Sequence, residues 1–425
     1  MRGDTMPVDE LHVIKDNILK HEEWRRSSLN MIASENITSS AVSRAVASAL
    51  SHKYAEGWPG ARFYQGCTYF DEVELNSNSL FYRLFDAQYV DLRPISGTNA
   101  NLALFFGLTK PGDTLMALHT SHGGHISHTT FGSAGIRELD VKTFPFDEDA
   151  MNIDVDRTIE LIRETSPRLI LFGASLFLFP HPISEVVDAA KEMGSLIAYD
   201  GAHVLGLIAG KQFQDPLGEG ALIITGSTHK TFPGPQGGMI VTRNMENEDL
   251  ARLQWGIFPG VLSNHHLHHV AAKGIAAGEM VDFGKDYALQ MCKNAKALAS
   301  ALAEEGLSPL CEHLGYTESH QVVLDVSKHG GGKWVAETLE AANIITNKNL
   351  LPWDPIEQSE DPSGLRIGVS ELTRLGMVED DMKDVAALYR KVIIDKEDPS
   401  MVAAEVTSMR ADFQDVRFCH EWDAI

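Results

Sequence analysis

A largely parallel α/β sheet with helices on both faces, followed by a smaller α+β unit, is the architecture that this sequence predicts. Three observations lead there. Between about residues 90 and 245, short apolar runs alternate with amphipathic helical patterns, as in sheets built from βαβ units. After Pro259 the texture shifts to long helical patterns broken by a few strand-like runs. The 425 residues also exceed what one hydrophobic core usually supports, so two domains are expected.

Taken in order, Leu11, Ile14 and Ile18 fall at helical spacing among charges. They predict an amphipathic N-terminal helix docked on the body or on a partner subunit. The runs Thr114–Leu118, Val141–Phe146, Leu169–Ala174, Leu196–Tyr199, Leu222–Thr225 and Met239–Thr242 predict strands. Between them, Asp156–Ser166 and Ile183–Gly194 read as helices. In the second, Val186, Val187, Ala190 and Met193 share a face and Gly194 stands at the stop. Beyond Pro259, a helix is expected from about Asp286 to Glu305, with Leu289, Cys292, Leu298, Ala301 and Leu302 mostly on one side. A strand (Gln321–Val326), a helix (Lys333–Ala342), a short strand (Leu365–Ile367) and two helices (Asp380–Ile393, Met401–Phe413) follow. The expected organisation is a helical arm over 1–45, a large domain over 46–275 and a small C-terminal domain over 276–425.

Charge narrows the partners. Lys plus Arg number 36 against 59 Asp plus Glu, a formal charge of −23, which disfavours nucleic acid and anionic membranes. The longest apolar run, Leu169–Phe179, falls short of a bilayer span and contains Gly173 and Ser175. Acidic and basic residues interrupt Met1–Leu19, so no secretory signal is expected. Cys67, Cys292, Cys311 and Cys419 show no metal or disulfide spacing, which points to a reduced, cytoplasmic setting. The run Ser263–His269 is rich in His, but without carboxylate or Cys ligands at fixed spacing no metal is expected.

Three segments carry chemistry. In Ser227–Gly238, Lys230 stands at the exit of a buried strand beside His229 and two Thr, a place suited to Schiff-base work. The run Leu196–His203 ends its strand in Asp200, at the sheet edge where α/β folds bind ligands. An Asp there is also a common helix N-cap. The segment Pro94–Asn101 brings Ser96, Gly97 and Thr98 to a helix start, where free N–H groups and hydroxyls can hold a phosphate. A fourth element, Gly123–His128, places imidazoles beside glycines. An amine, a carboxylate and a phosphate cradle together fit pyridoxal 5′-phosphate.

On these residues the chain resembles the serine hydroxymethyltransferase family, most closely its archaeal branch, from about Leu11 past Met377. The motifs are Met31–Asn36, Lys53–Gly57, Gly123–His125, Asp200–His203, Ser227–Thr231, Asn347–Asn349 and Leu365–Gly368. The resemblance implies the aspartate-aminotransferase-like fold (fold type I), with 46–275 as the cofactor-binding domain and active sites shared across a homodimer. It implies that Lys230 forms the internal aldimine, Asp200 pairs with the pyridinium nitrogen and His125 stacks on the ring. Ser96, Gly97 and Thr98 then hold the phosphate, with Tyr54 from the partner subunit, and Ser175 and His203 lie against the phenolic oxygen. Arg366 clamps the substrate carboxylate, Ser34 and Asn347 lie near substrate and pterin, and Glu56 and Tyr64, from the partner, serve proton transfer and hydroxyl binding. His229 joins them among the catalytic candidates.

The implied activity is reversible conversion of L-serine and a reduced pterin, tetrahydrofolate or tetrahydromethanopterin, to glycine and the methylene-pterin. Two alternatives are a β-hydroxy-amino-acid aldolase or threonine transaldolase of the same family, and a non-catalytic binding module. Gln236 stands where many bacterial and eukaryotic members have Arg. Val261–His266 replaces their glycine-rich stretch, and Trp58 and Phe63 replace residues that are commonly Tyr.

Overall fold

The computed structural model describes residues 9–422. Positions 1–8 of the expected arm and 423–425 of the expected C-terminal domain lie outside them. The main sheet has seven strands: β1 (Tyr89–Asp91), β2 (Thr114–Ala117), β3 (Asp140–Thr143), β4 (Leu169–Phe172), β5 (Leu196–Asp200), β6 (Ile223–Ser227) and β7 (Gly238–Thr242). Their order is β1-β7-β6-β5-β4-β2-β3. From β6 to β3 every pairing is parallel, while β7 runs antiparallel to both β6 and β1.

Alternate residues of the central strands supply two cores, one on each face. Leu169, Leu171, Leu196, Ala198 and Ile223 pack on one side. Ile170, Phe172, Ile197, Tyr199 and Ile224 pack on the other. A sheet covered twice needs apolar residues at every position, which is why these strands read as continuous apolar runs.

Two strands differ from expectation. The run Val141–Phe146 pairs in the main sheet only to Thr143, and Phe146 and Asp147 pair instead with Asn152 and Ile153. Pro145 between them has no N–H to donate. Strand β1 has no apolar run of its own, because it buries Asp91. Arg93 makes that tolerable, its Nη2 donating to Asp91 Oδ2 at 2.6 Å and its Nε to Oδ1 at 3.0 Å.

The helices that matter for the site are α1 (Asp9–Ser27), α2 (Thr68–Phe85), α3 (Gly97–Leu108) and α4 (Leu267–Glu304). Helix α4 starts nearly twenty residues before the expected one. Its first half is buried on several sides at Ala272, Lys273, Gly274, Ala276 and Ala277 and so shows no single apolar stripe, and Leu289 turns outward. It packs against α2 and against the helix Glu379–Ile393. Helix α1 buries none of its residues within this chain, and Leu11, Ile14 and Ile18 are each more than half exposed. Only its last turns engage the body, through Trp24 Nε1 to Asn343 Oδ1 at 2.9 Å.

The C-terminal part holds an antiparallel sheet of β8 (Gln321–Asp325), β9 (Asn347–Asn349) and β10 (Gly364–Gly368), with β10 in the centre. The helices Gly331–Ala341, Glu379–Ile393 and Pro399–Arg410 accompany it. Among the described residues, no helix is long and apolar enough to cross a membrane.

Candidate active site

The carboxyl ends of β5 and β6 open onto a cavity of about 240 Å³. Its lining includes Ser96, Gly97, Thr98, His125, Ser175, Asp200, His203, His229 and Lys230. A wider cavity of about 540 Å³ adjoins it and adds Ser34, Glu35, Thr120, Asn349 and Arg366. His125, Ser175, His203, His229, Lys230 and Gln236 line both.

Lys230 follows β6 in a turn held by its threonines. Thr231 Oγ1 donates to His203 O at 2.8 Å, and Thr228 Oγ1 donates to Pro235 O at 2.8 Å. Burial pulls the Lys230 ammonium down to about 8, with Asp200 acting against the fall and Arg366 adding to it. An amine so depressed is a competent nucleophile near neutral pH.

Asp200 ends β5 and is surrounded by donors. Asn101 Nδ2 donates to Oδ2 at 2.7 Å and His128 Nε2 to the same oxygen at 3.0 Å. The Ala202 N–H donates to Oδ1 at 3.0 Å. Burial alone would raise the carboxyl's pKa, but His128, His125 and Asn101 outweigh it and hold it well below the usual range. Oδ1 retains accepting capacity, which suits a ring N–H⁺.

Helix α3 begins at Gly97. Ser96 caps it, its Oγ accepting from Asn99 N at 3.0 Å, so the ordinary capping role and the cradle coexist. The first N–H groups of the helix have no intrahelical partner and form a ready anion site. A Cβ on Gly97 would lie 2.5 Å from Ser227 Oγ. Glycine therefore lets the helix start sit against the end of β6.

Three histidines that line the cavity, His125, His203 and His229, are held neutral by burial. Burial lowers His125 to about 4, Asp200 opposing and His128, Lys230 and Arg366 assisting. His125 Nδ1 lies 2.7 Å from Ser127 Oγ and accepts from Ser127 N–H at 3.2 Å, which fixes the orientation of the ring. His203 is pushed well down by burial and by the Lys230 and Arg366 charges. Its Nδ1 meets Gln321 Nε2 at 3.1 Å, and the Phe177 N–H fixes that amide by donating to Oε1 at 3.0 Å. The His203 proton is thereby assigned to Nε2. Burial and the Lys230 charge lower His229 to about 4.

Arg366, on the central strand of the C-terminal sheet, reaches the wider cavity. Its Nη1 donates to Ser175 O at 2.7 Å, and its Nε and Nη2 donate to Asn347 Oδ1 at 3.3 Å each. These bonds take three of the guanidinium's five N–H groups and leave one on each terminal nitrogen, a fork matched to a carboxylate. Burial lowers Arg366 to about 10, which keeps it charged at neutral pH. Asn347 itself lines neither cavity.

Three expected residues stand apart. Tyr54, Glu56 and Tyr64 line neither cavity. They flank a hairpin (Gly57–Trp58 with Ala61–Arg62), and both tyrosines are 44% exposed. The largely covered side chain of Arg62 pins this hairpin by donating to Asp71 at 2.8 Å and to Glu74 at 2.6 Å. The tyrosine rings contact edge to face at 4.9 Å.

Asn101, His128 and Gln321 are site residues to which sequence reasoning gave no role. The first two lay inside segments already singled out. Gln321 opens an ordinary strand and carried no signal. Among the described residues, no group of three or more His, Cys, Asp or Glu stands together as metal ligands. The donor set present (one depressed Lys, one ionised Asp, neutral His rings and a free helix start) fits pyridoxal 5′-phosphate.

The profile of the serine hydroxymethyltransferase family matches residues 9–389. A serine hydroxymethyltransferase of Thermococcus kodakarensis is 62% identical over 401 residues, 94% of this chain and 93% of that protein. One from Pyrococcus abyssi is 59% identical over 415 residues, 97% and 96%. One from Methanosphaera stadtmanae is 54% identical over 415 residues, 97% of each. Among solved structures, the crystal structure of L-threonine transaldolase from Pseudomonas fluorescens in its internal aldimine state superposes with a TM-score of 0.88. It is 28% identical, over 96% of this chain and 93% of that one.

Proposed function

The chain belongs to the serine hydroxymethyltransferase family, and from that premise we propose which of its residues carry the reaction. It is a pyridoxal-phosphate-dependent transferase of fold type I that interconverts serine and glycine, with a reduced pterin as the one-carbon partner. One observation carries the residue assignment: Lys230, Asp200 and the start of α3 line one cavity, which adjoins the one that Arg366 lines.

When bound, the cofactor supplies an aldehyde and a cationic ring that draws electrons out of serine's Cα–Cβ bond. Lys230 Nζ would hold the cofactor through its aldehyde, its amine made available near neutral pH by burial. Asp200, kept ionised by Asn101 and His128, holds the proton on the ring nitrogen. Ser96, Gly97 and Thr98 bind the phosphate with backbone N–H groups and hydroxyls. His125 offers a neutral ring face for stacking, and Ser175 and His203 approach the phenolic oxygen, His203 with its Nε2 proton. The Arg366 fork binds the serine carboxylate, aimed by Asn347 and Ser175. Fixing that carboxylate would restrict the substrate's orientation and so select which bond to Cα is cleaved. Ser34 flanks the substrate, and His229 exchanges protons beside Lys230.

Tyr54, Glu56 and Tyr64 complete the site from a second copy of the chain in a homodimer. Their placement on a pinned, outward-facing hairpin supports this reading. Glu56 takes the proton of the serine hydroxyl as the one-carbon unit leaves, help typically worth ~10²–10⁴-fold. Tyr64 binds that hydroxyl, and Tyr54 adds a phosphate contact. We read 1–45 as the arm, 46–275 as the cofactor domain and 276–425 as the small domain, in a cytoplasmic enzyme whose four cysteines are free.

The carrier is tetrahydrofolate or tetrahydromethanopterin. A serine-cleavage assay run in parallel with each, and without either, is expected to show strong stimulation by one of them. Rapid threonine turnover with no pterin stimulation would favour the aldolase or transaldolase reading instead.

A further inference from the structure

Among the described residues, the lining of the smaller cavity includes no Arg and one Lys, Lys230, the amine assigned above to the aldehyde. Within one chain, a phosphate at the start of α3 therefore meets N–H groups and hydroxyls, with no cation but Lys230 among the described lining residues. Directly behind that cradle stands a second buried lysine. Lys273, on the second turn of α4, is 1% exposed. Its Nζ donates to Leu92 O at 2.8 Å, Pro94 O at 3.1 Å and Gly238 O at 2.8 Å.

Three carbonyl acceptors match the three N–H donors of an ammonium. Burial pulls the group down to about 7, with Asp91 acting against the fall, and a phosphate anion bound nearby favours its charged form. No carboxylate lies within 4.0 Å of it among the described residues. The acidic group that acts on it through space, Asp91, is already bonded by Arg93 at 2.6 Å. A buried charge without a paired counter-ion is costly, and an anion held at the adjoining cradle would offset that cost.

Its neighbours tie it to the cradle. Pro94 O, one of its acceptors, also accepts from Gly238 N at 2.9 Å, and Pro94 leads within two residues into Ser96. A Cβ added to Gly238 would fall 2.2 Å from Ser96 O. One added to Gly237 would fall 2.4 Å from Lys273 Cε and 2.8 Å from its Nζ. The lysine thus fastens the ends of β1 and β7 where the chain turns into the phosphate loop on one side and leaves the Lys230 loop on the other.

We propose that Lys273 is a positioning residue and a buried counter-charge for the cofactor phosphate, acting through the loop it clamps rather than by touching the cofactor. This rests on the cofactor reading above. Its distinctive consequence is a preference for the phosphorylated cofactor over pyridoxal, which shares the ring and the aldehyde but has no charge to balance.

The test measures dissociation constants of pyridoxal 5′-phosphate and of pyridoxal for the apoenzyme, unmodified and with Lys273→Met or Lys273→Gln, folding being checked by circular dichroism. The Gln variant keeps donors for two of the carbonyls and loses the charge, and it decides the matter alone if the Met variant does not fold. The preference for the phosphorylated form is expected to fall about tenfold or more in both variants, with pyridoxal binding little changed. Equal weakening of both ligands, or a Gln variant with unchanged preference, would overturn the proposal and leave Lys273 a structural tether. Failure of the unmodified protein to bind pyridoxal 5′-phosphate would instead refute the cofactor reading itself.

Discussion

Removing the Arg366 side chain separates substrate binding from cofactor binding. The guanidinium spends three N–H groups on Ser175 O and Asn347 Oδ1 and keeps two for a ligand. A hydrogen bond to a charged group is worth ~1.5–3 kcal/mol, so losing the fork costs serine ~3–6 kcal/mol. At ~1.4 kcal/mol per tenfold, that is ~10²–10⁴ in serine affinity. The cofactor loses no such contact, because Arg366 lines only the wider cavity. Serine affinity of Arg366→Ala is to be read from the spectral change of the bound cofactor on titration, and cofactor affinity from equilibrium dialysis. The expected result is a loss of at least a hundredfold for serine, with cofactor affinity within about threefold of the unmodified protein. Parallel losses in both, or a serine effect below about tenfold, would show that the carboxylate binds elsewhere.

Three other outcomes follow from the same geometry. Aldehyde capture needs the neutral amine, so cofactor uptake by the apoenzyme should quicken with rising pH through a midpoint near 8, the value to which burial brings Lys230; stopped-flow absorbance would show it, and a midpoint near the ordinary lysine value would contradict it. Asn101→Ala removes one of the donors that keep Asp200 ionised and should weaken cofactor binding by about tenfold, measured by dialysis; no change would mean that His128 suffices. Mixed dimers of Lys230→Ala and Glu56→Gln chains should regain part of the activity that each variant lacks alone, whereas verified heterodimers without activity would place Glu56 in its own chain's site.

The large sheet was legible because burial on both faces forces unbroken apolar runs, and the cavity lies where such runs stop at a charge, as at Asp200 and before Lys230. What could not be read depended on partners distant in the chain. Strand β1 hides behind Asp91, whose burial is made acceptable by Arg93, a fact of tertiary packing. The first half of α4 hides because Gly274, Gly278, Gly284 and the histidines at 265–269 lower helix propensity, while close approach to Ser77 requires glycine at 274, where an added Cβ would fall 2.1 Å from Ser77 Oγ. Asn101, His128 and Gln321 carry no periodic signal, since a buried polar residue reveals its role only through what it bonds. The same holds for Lys273, which on a helix with no evident buried face reads as one more solvated cation.

The central claim is that Lys230 holds the cofactor. Borohydride reduction of the holoenzyme, followed by proteolysis and mass mapping, fixes the cofactor to whichever lysine carries it. The account predicts one pyridoxyl-phosphate label, on Lys230, that disappears together with the visible absorption band in Lys230→Ala. A label on any other lysine of the unmodified protein, or a band that survives the substitution, would contradict it.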